Sequence, residues 1–237
     1  MNSNHFLIDI KQEFLNRFQI NFEFTDFNEP IYFSEKLQVL IIGTDTEIEE
    51  LAKIQNIVFK LRKSTHPKLI VIFESLWFDK KNIIIQKISM MLGIFKTIYG
   101  RQCFVKEVDE KESIEFLNNN HLLGNSKSEI RLGLYFNYQL VALSVWGKVR
   151  YMKYENPPYY SAELIKFTSL PNVTVTGGLS KLISYFQNMY HCKTIMTYAD
   201  IAWYTGNSFE LLDFSAISIL KINTQNTLGS IKYIKTY

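Results

Sequence analysis

The sequence predicts an α/β fold in which helices flank a mixed central sheet, with a small βαβ unit before it. Hydrophobic residues make up 47% of the 237 residues, enough for a sizeable core. The apolar runs IRLGLYF and LVALSVWG are joined by Asn137-Tyr138, a two-residue connection that predicts a β-hairpin. Further along, a β-branched segment runs into Gly177-Gly178, which opens an amphipathic helix.

The first part of the chain, residues 1–98, is predicted to form one domain. Apolar residues recur at helical spacing in some stretches and form short unbroken runs in others. Because a strand, a helix and a second strand follow one another, the two strands are expected to be parallel. The expected elements are helix 6–19, strand 37–42, helix 47–63, strand 69–73 and helix 80–92.

Residues 99–237 are predicted to form a second domain around a longer sheet. The hairpin lies near its middle, and the Tyr- and Lys-rich stretch 149–160, with Pro157-Pro158, is expected to be a loop. The other expected elements are strand 103–108, helix 110–119, strand 162–168, helix 179–188, strand 193–198, short helix 207–212 and a terminal strand or two.

Charge and cysteine content exclude several classes of protein. A net charge of +3 permits a polyanionic partner without requiring one. Cys103 and Cys192 are too few for a disulfide framework and lack zinc-site spacing, so we expect two buried thiols in a reducing compartment. The longest apolar runs are far shorter than a bilayer span, which predicts a cytoplasmic protein without a membrane helix.

The glycine-led helix is a candidate anion site. Free amides at a helix start, aided by the macrodipole, bind phosphate, and glycines allow the close approach. A pyrophosphate-bearing cofactor is therefore expected at Thr176, Gly177, Gly178, Ser180 and Lys181. The alternative is that Gly-Gly is only a tight turn.

Three residues are candidates for catalysis. His121 follows a predicted helix and titrates near neutrality, as a general base or metal ligand requires. Glu163 interrupts an apolar strand, where a carboxylate is costly unless it is exposed, paired or functional. Asp200 ends a strand where ligand crevices open, and it is the second possible metal ligand. The alternatives are a helix cap for His121, a solvated position for Glu163 and a turn cap for Asp200.

Cations and aromatics alternate in the loop GKVRYMKYENPPYY. Cations neutralise phosphates and aromatics stack on unpaired bases, so Lys148, Arg150 and Lys153 are expected to contact DNA. Tyr198 and Trp203, which follow the last central strand, are expected to stack on a base or line a substrate channel. Core packing is the alternative explanation for Tyr198.

The order hairpin, strand, glycine turn, helix, strand and short helix resembles the GNAT acyltransferase fold, with SLPNVTVTGG as the loop and NSFELLDF as the helix. This resemblance implies a GNAT-like mixed sheet and acyl-CoA, or a related phosphate-bearing donor, next to the loop and Phe209. The chain departs from the family pattern in two ways. No Arg or Gln precedes the glycines, and Asp213 replaces a glycine.

A more specific resemblance spans about residues 101–214. The segments NNNHLLGNSKSEIRLGLYFNYQLVALSVWGK, AELIKF, GGLSKL and TIMTYADIAWYTGN resemble the phage Mom DNA-modification proteins and the module that follows endonuclease domains in phage homing-endonuclease-like proteins. It implies transfer to an exocyclic amine of a DNA base, with DNA as partner and a divalent metal possible. Leu122 and Lys166 depart from the family pattern.

The N-terminal part resembles Vsr-like endonuclease domains through KLIVIFESLWFDKKNIIIQKI and IYGRQC. Those nucleases hold Mg²⁺ with a carboxylate on the second strand, whereas this strand carries Gln38 and no carboxylate precedes Asp45. We therefore expect a degenerate docking domain, with Asp45, Glu47 and Glu74 as the remaining route to nuclease activity. Two other functions stay open: a non-catalytic DNA-binding accessory module, and an acyl-CoA-dependent N-acetyltransferase acting on a small molecule or protein.

Overall fold

The computed structural model describes residues 3–21, 23–25, 31–33, 37–63, 69–204, 208–220, 222, 224 and 226–237. Contacts within the chain divide it into two compact units. The first takes residues 1–81, 199–207 and 219–231, and the second takes 82–198, 208–218 and 232–237. The assignment of residues 1–98 to a degenerate Vsr-like domain stays a prediction.

The first unit contains a four-stranded sheet in the order β1-β2-β3-β4. Strands β3 and β4 are parallel and joined by helix α2, as the βαβ pattern predicts. The helix buries Leu51, Ile54 and Val58, which share one face, and Glu49 and Glu50 lie in its first turn, where negative charge is favourable. The elements are α1 (Ser3–Phe18), β1 (Glu23–Thr25), β2 (Ile31–Phe33), β3 (Gln38–Ile42), α2 (Ile48–Lys63) and β4 (Leu69–Phe73).

Helix α3 (Glu74–Met91) begins directly after β4, six residues earlier than the apolar spacing predicts. A kink at Lys80, with φ −131°, separates the early turns from the predicted helix. The elements that follow are β5 (Lys96–Tyr99), the 3₁₀ turn Gly100–Gln102, β6 (Phe104–Glu107), α4 (Glu110–Asn120), β7 (Ile130–Phe136), β8 (Gln139–Trp146), β9 (Arg150–Met152), β10 (Tyr159–Ser169), β11 (Val173–Thr176), α5 (Gly178–Tyr190), β12 (Thr194–Asp200), the 3₁₀ turn Glu210–Leu212, β13 (Ser215–Ile219) and β14 (Ser230–Thr236).

A mixed sheet organises the second unit, in the order β13-β14-β12-β10-β8-β7-β6, with β9 paired to β10. Strand β10 is antiparallel to β8 and parallel to β12. Trp146 on one sheet face stacks on Phe186 of α5 with ring centroids 3.9 Å apart. On the other face, α4 contributes Phe116 and Leu117 to a core that includes Leu143 and Val145. The predicted mixed sheet flanked by helices is confirmed.

The predicted hairpin is also confirmed. Strands β7 and β8 are antiparallel, and both turn residues have positive φ, 48° at Asn137 and 63° at Tyr138. This geometry matches the right-handed twist of the flanking strands.

Two predictions of local structure need correction, and one strand pair has no counterpart among the predictions. Residues 149–160 are not all loop, because β9 pairs with the first residues of β10. The predicted helix 207–212 is only a 3₁₀ turn over Glu210–Leu212, and Asn207 lies outside the described residues. The parallel pair β5–β11 was not predicted. Cys103 and Cys192 are buried and free, as expected.

Among the helices of the described residues, none combines the length and apolar character that crossing a bilayer requires.

Candidate active site

The parallel strands β10 and β12 separate along their length. Their residues pair from Ser161 with Thr194 to Leu164 with Thr197, and the pairing ends there. Strand β10 continues to Ser169, still paired with β8 on its other side. Beyond Leu164, the backbone groups of β10 that face β12 therefore have no ladder partner, and a gap opens between the two strands.

A bulge in β10 lies at the point of separation. Against β8, Leu164 pairs with Trp146 and Lys166 pairs with Val145, so the register shifts at Ile165. A bulge adds one residue to a strand and turns two successive side chains toward the same face. Ile165 and Lys166 accordingly both lie on the face covered by α4: Ile165 packs against its core, and Lys166 contacts the turn that follows this helix.

Helix α5, which follows β10 and β11 and leads into β12, begins with amides that are not used in hydrogen bonds within the helix. Gly177 is the N-cap residue and has φ +73°, a conformation that a Cβ disfavours. The amide of Lys181 bonds to the Gly177 carbonyl, so the amides of residues 178–180 have no acceptor within the helix. Thr176, Gly177 and Ser180 are exposed. Three of the predicted anion-binding residues thus lie at the surface, whereas Gly178 is buried and Lys181 is half-buried.

Gly178 is required for close packing. A Cβ at this position would lie 2.9 Å from atoms of both Leu134 and Val175. This distance is shorter than ordinary contact, so a larger residue would displace the helix start from the sheet.

The ammonium group of Lys181 is hydrogen-bonded to backbone carbonyls. Its Nζ atom donates to the Cys103 oxygen at 2.5 Å and to the Gly100 oxygen at 3.1 Å. Lys181 therefore fixes the 3₁₀ turn against α5, and its expected contact with a phosphate stays a prediction.

The turn Gly100–Gln102 lies directly beside the glycine turn. Strand β11 pairs in parallel with β5 from Val173 with Lys96 to Thr176 with Tyr99. A Cβ on Gly100 would lie 3.1 Å from the Gly177 carbonyl carbon, so the two backbones touch. Arg101 follows, exposed, with its guanidinium 5.1 Å from the Tyr99 ring centroid.

Glu163 lies on β10 before the bulge, on the face covered by α4. It pairs with Met196 of β12, so alternation places Tyr198 on the same face. Both side chains are half-buried. The structure thus brings these two predicted residues together beside the gap, while their roles stay predictions.

His121 is the C-cap of α4, and its imidazole is held neutral. Its Nδ1 accepts from the Leu123 amide at 3.2 Å, which places the proton on Nε2. Burial, reinforced by the charges of Lys87 and Lys166, lowers the pKa of His121 to about 3. A nitrogen with so low a pKa is a poor base at neutral pH, so this geometry favours the capping alternative for His121.

The turn that follows α4 is tied to the far half of β10. The Nζ atom of Lys166 donates to the Gly124 oxygen at 2.6 Å and the Leu123 oxygen at 3.3 Å. The Thr168 hydroxyl donates to the Asn120 oxygen at 2.8 Å. Burial also lowers the pKa of Lys166.

Asp200 and Trp203 belong to the first unit. The Asp200 carboxylate accepts from the Ala202 amide at 2.8 Å, which is the turn-capping alternative. Its charge also acts on Arg62, whose pKa burial lowers to about 10. Trp203 packs against the core that includes Leu69 and Ile201. A joint role of Asp200 with His121 stays a prediction.

The two remaining groups of predicted residues differ in exposure. Phe209 packs against Phe214 and Tyr233 with ring centroids 5.6 and 5.4 Å away. Lys148, Arg150 and Lys153 are all exposed on or beside β9. Neither the cofactor role of Phe209 nor the DNA contacts of the three cations is tested by these positions.

A metal site is not evident in the part of the chain that the structure describes. No group of three or more His, Cys, Asp or Glu side chains is arranged there to hold an ion. Metal binding by His121 and Asp200 stays a prediction.

No protein-family model and no curated protein matches the chain. Similar solved structures include the NatC complex bound to Gag peptide and CoA, with 11% identity, a TM-score of 0.42 and coverage of 57% of this chain and 99% of that chain. A GNAT family acetyltransferase from Elizabethkingia anophelis with acetyl-CoA bound has 12% identity, a TM-score of 0.41 and the same coverage. The ribosomal-protein-S18-alanine N-acetyltransferase from Escherichia coli has 14% identity, a TM-score of 0.40 and coverage of 56% and 90%.

These similarities are distant, with identities of 11–14% and TM-scores of 0.40–0.42. The hairpin, the separating parallel pair and the glycine-led helix between its strands form the GNAT-like arrangement that the sequence resemblance implies.

Two residues near these features were not anticipated. Arg101 is brought beside the glycine turn by the β5–β11 pair, which joins segments more than seventy residues apart. Lys193 lies beside the start of β10, where its amide donates to the Tyr160 oxygen. Neither has a local sequence signal, because each position depends on strand pairing.

Proposed function

We propose that the second unit is a GNAT-like acyltransferase that takes an acyl group from acyl-CoA and transfers it to an amine of a small molecule or a protein. One observation carries the proposal. The gap between β10 and β12 opens at Leu164, and helix α5 between these strands begins with the amides of residues 178–180, which have no acceptor within the helix.

The donor phosphates would lie at the start of α5. Amides at a helix N-terminus bind anions directly, and the macrodipole adds to this attraction. Arg101 is placed to supply the cation that the glycine loop itself lacks. Backbone groups of β10 beyond Leu164, which do not pair with β12, would bond to amide groups of an extended donor chain.

Acyl-CoA would supply a thioester whose carbonyl carbon an amine attacks. A bond from nitrogen to carbon forms, the carbon–sulfur bond breaks, and the sulfur leaves as the thiol of CoA after taking a proton. Glu163 is the residue that we assign to accept the amine proton, because its carboxylate lies beside the gap. Tyr198, on the same face, is assigned to the wall of the acceptor site.

Isothermal titration with acetyl-CoA tests the donor site. We expect micromolar binding, weakened at least tenfold by Gly177→Val. Gly93→Val is a matched control, because Gly93 has φ +82° and Gly177 has φ +73°, and each has open space where a Cβ would be added. No binding, or equal weakening by both variants, would contradict the proposal.

Transfer to a DNA base, as Mom-type proteins perform it, stays a hypothesis that shares this geometry. It predicts modified nucleosides, detectable by mass spectrometry, in DNA from cells that express the protein. A non-catalytic DNA-binding module predicts instead that neither acetyl-CoA binding nor base modification is observed.

A further inference from the structure

We infer that the hairpin of residues 148–160, together with Lys193, is a binding surface for single-stranded nucleic acid. We call this set the basic hairpin. The inference concerns a macromolecular partner and not the donor, so it stands whether or not acetyl-CoA binds.

The excess charge of the chain is concentrated at the basic hairpin. It carries Lys148, Arg150, Lys153 and Lys193 against a single carboxylate, Glu155, which gives +3, equal to the net charge of all 237 residues. All four cations are exposed. A cluster of this kind neutralises several phosphates at once and releases their counterions.

The tyrosines of the basic hairpin are arranged for stacking. Tyr151 and Tyr160 are cross-strand neighbours with ring centroids 5.2 Å apart, and 55% and 50% of their surfaces are exposed. Tyr154 is 90% exposed. Aromatic rings with this much surface left in water are suited to an aromatic ligand.

Tyr154 and Tyr159 each have a cation over the ring. Lys153 lies 4.7 Å from the Tyr154 ring centroid, and Lys193 lies 5.1 Å from that of Tyr159. In a nucleotide, one sugar joins the phosphate to the base. A nucleotide could therefore place its phosphate at the lysine and its base on the neighbouring tyrosine ring.

Unpaired bases fit this surface better than a duplex does. In a duplex the bases are stacked on each other and present only their edges, so the tyrosines would contact little. In a single strand the base faces are available, and stacking of one base on an aromatic side chain strengthens binding by about tenfold. An acidic protein would use the cations but not the rings.

The test is fluorescence anisotropy with a labelled oligothymidylate of about twenty nucleotides, titrated with the full chain at several salt concentrations. We expect Tyr154→Ala to weaken binding about tenfold, because one base would no longer be stacked. Replacing Lys148, Arg150 and Lys153 with Gln should reduce the slope of log affinity against log salt concentration by about 0.7 for each phosphate that is no longer neutralised.

Tyr138→Ala is the matched control. Tyr138 is 93% exposed at the other hairpin turn, but it lines an open pocket with Glu112 and Glu115. We expect this variant to bind like the wild type. The proposal is overturned if the oligonucleotide does not bind, if Tyr138→Ala weakens binding as much as Tyr154→Ala does, or if only the cation variant loses affinity. The last result would identify an electrostatic surface for an acidic protein.

Discussion

Two of the parallel strand pairs in the described residues, β3–β4 and β10–β12, differ in how far they stay together. Strands β3 and β4 pair along their full length, from Gln38 with Leu69 to Ile42 with Phe73. Strands β10 and β12 pair over four positions and then separate. A parallel pair can thus stay closed along its whole length or separate part of the way along it.

Residue chemistry accounts for the difference. All five residues of β4, LIVIF, are buried, so its two faces are covered and nothing favours a gap. Strand β10 alternates buried residues with Glu163 and then carries Lys166 and Thr168 beyond its bulge. Lys166 bonds to the turn after α4 and Thr168 bonds to the last residue of α4, and so this half of β10 is held without a partner on the β12 side.

The largest effect is expected from truncating an apolar residue in a paired segment of either strand pair. Leu164→Ala and Leu40→Ala should each lower the free energy of unfolding by about 3 kcal/mol, since both side chains are 1% exposed. Urea denaturation at pH 7 measures both. A cost below about 1 kcal/mol for Leu164→Ala would mean that β10 and β12 are already loose where they pair.

Lys166→Met should lower the free energy of unfolding by about 2 kcal/mol, because the Leu123 and Gly124 carbonyls lose a charged donor. Thermal and urea denaturation provide the measurement. Lys111→Met, at an exposed position of α4, should change stability by less than about 0.5 kcal/mol. Equal effects of the two variants would contradict the idea that Lys166 fixes the unpaired half of β10.

A pH-dependent effect is expected from His121. Its folded pKa, about 3, lies below the value of about 6.5 expected in the unfolded chain. The unfolded state therefore binds more protons between these values, and stability present above pH 6.5 is lost as the pH falls.

Between pH 7 and pH 5.5 this loss is about 1 kcal/mol, and His121→Gln should remove it. Urea denaturation of both proteins at the two pH values gives the comparison. If the variant and the wild type lose stability in parallel, the imidazole is not held neutral by its surroundings.

The smallest expected effects come from two threonine substitutions, one where β10 and β12 pair and one beyond the point where they separate. The Thr197 hydroxyl donates to the Leu164 oxygen at 2.9 Å where the strands pair, and Thr168 lies beyond their separation. Thr197→Val should cost about 1 kcal/mol because its partner carbonyl is left buried, and Thr168→Val roughly half as much because water can replace the bond. Urea denaturation at pH 7 measures the loss of stability in both variants. A larger loss for Thr168→Val than for Thr197→Val would contradict a gap at this point.

Local signals in the sequence were enough for much of the fold. The β3–α2–β4 order predicted a parallel pair, and Asn137-Tyr138 predicted a hairpin, because periodicity and turn residues are encoded by neighbours. The β5–β11 pair and the β9 strand were missed. The β5–β11 pair joins segments that are distant in the chain. Strand β9 has only three residues, too few to show an alternating pattern of apolar residues.

The candidate site was predictable only in part. Gly177-Gly178 indicated the helix start, because glycine readily adopts the positive φ found at Gly177 and leaves room for the close packing found at Gly178. The carbonyl partners of Lys181 and the capping contact of Asp200 could not be anticipated, because a lysine or an aspartate looks the same in a sequence whether it meets a ligand or its own backbone. The bulge at Ile165 has no residue signature at all.

The β5–β11 pair has a consequence for ligand association. Strand β11 leads straight into Gly177, and β5 holds it by four consecutive register pairs. A nucleotide that binds to the amides of residues 178–180 would meet a surface that β5 already holds in place. Little free energy would then be lost to ordering the glycine turn. Encounter should then follow simple second-order kinetics, without a slow isomerisation after collision.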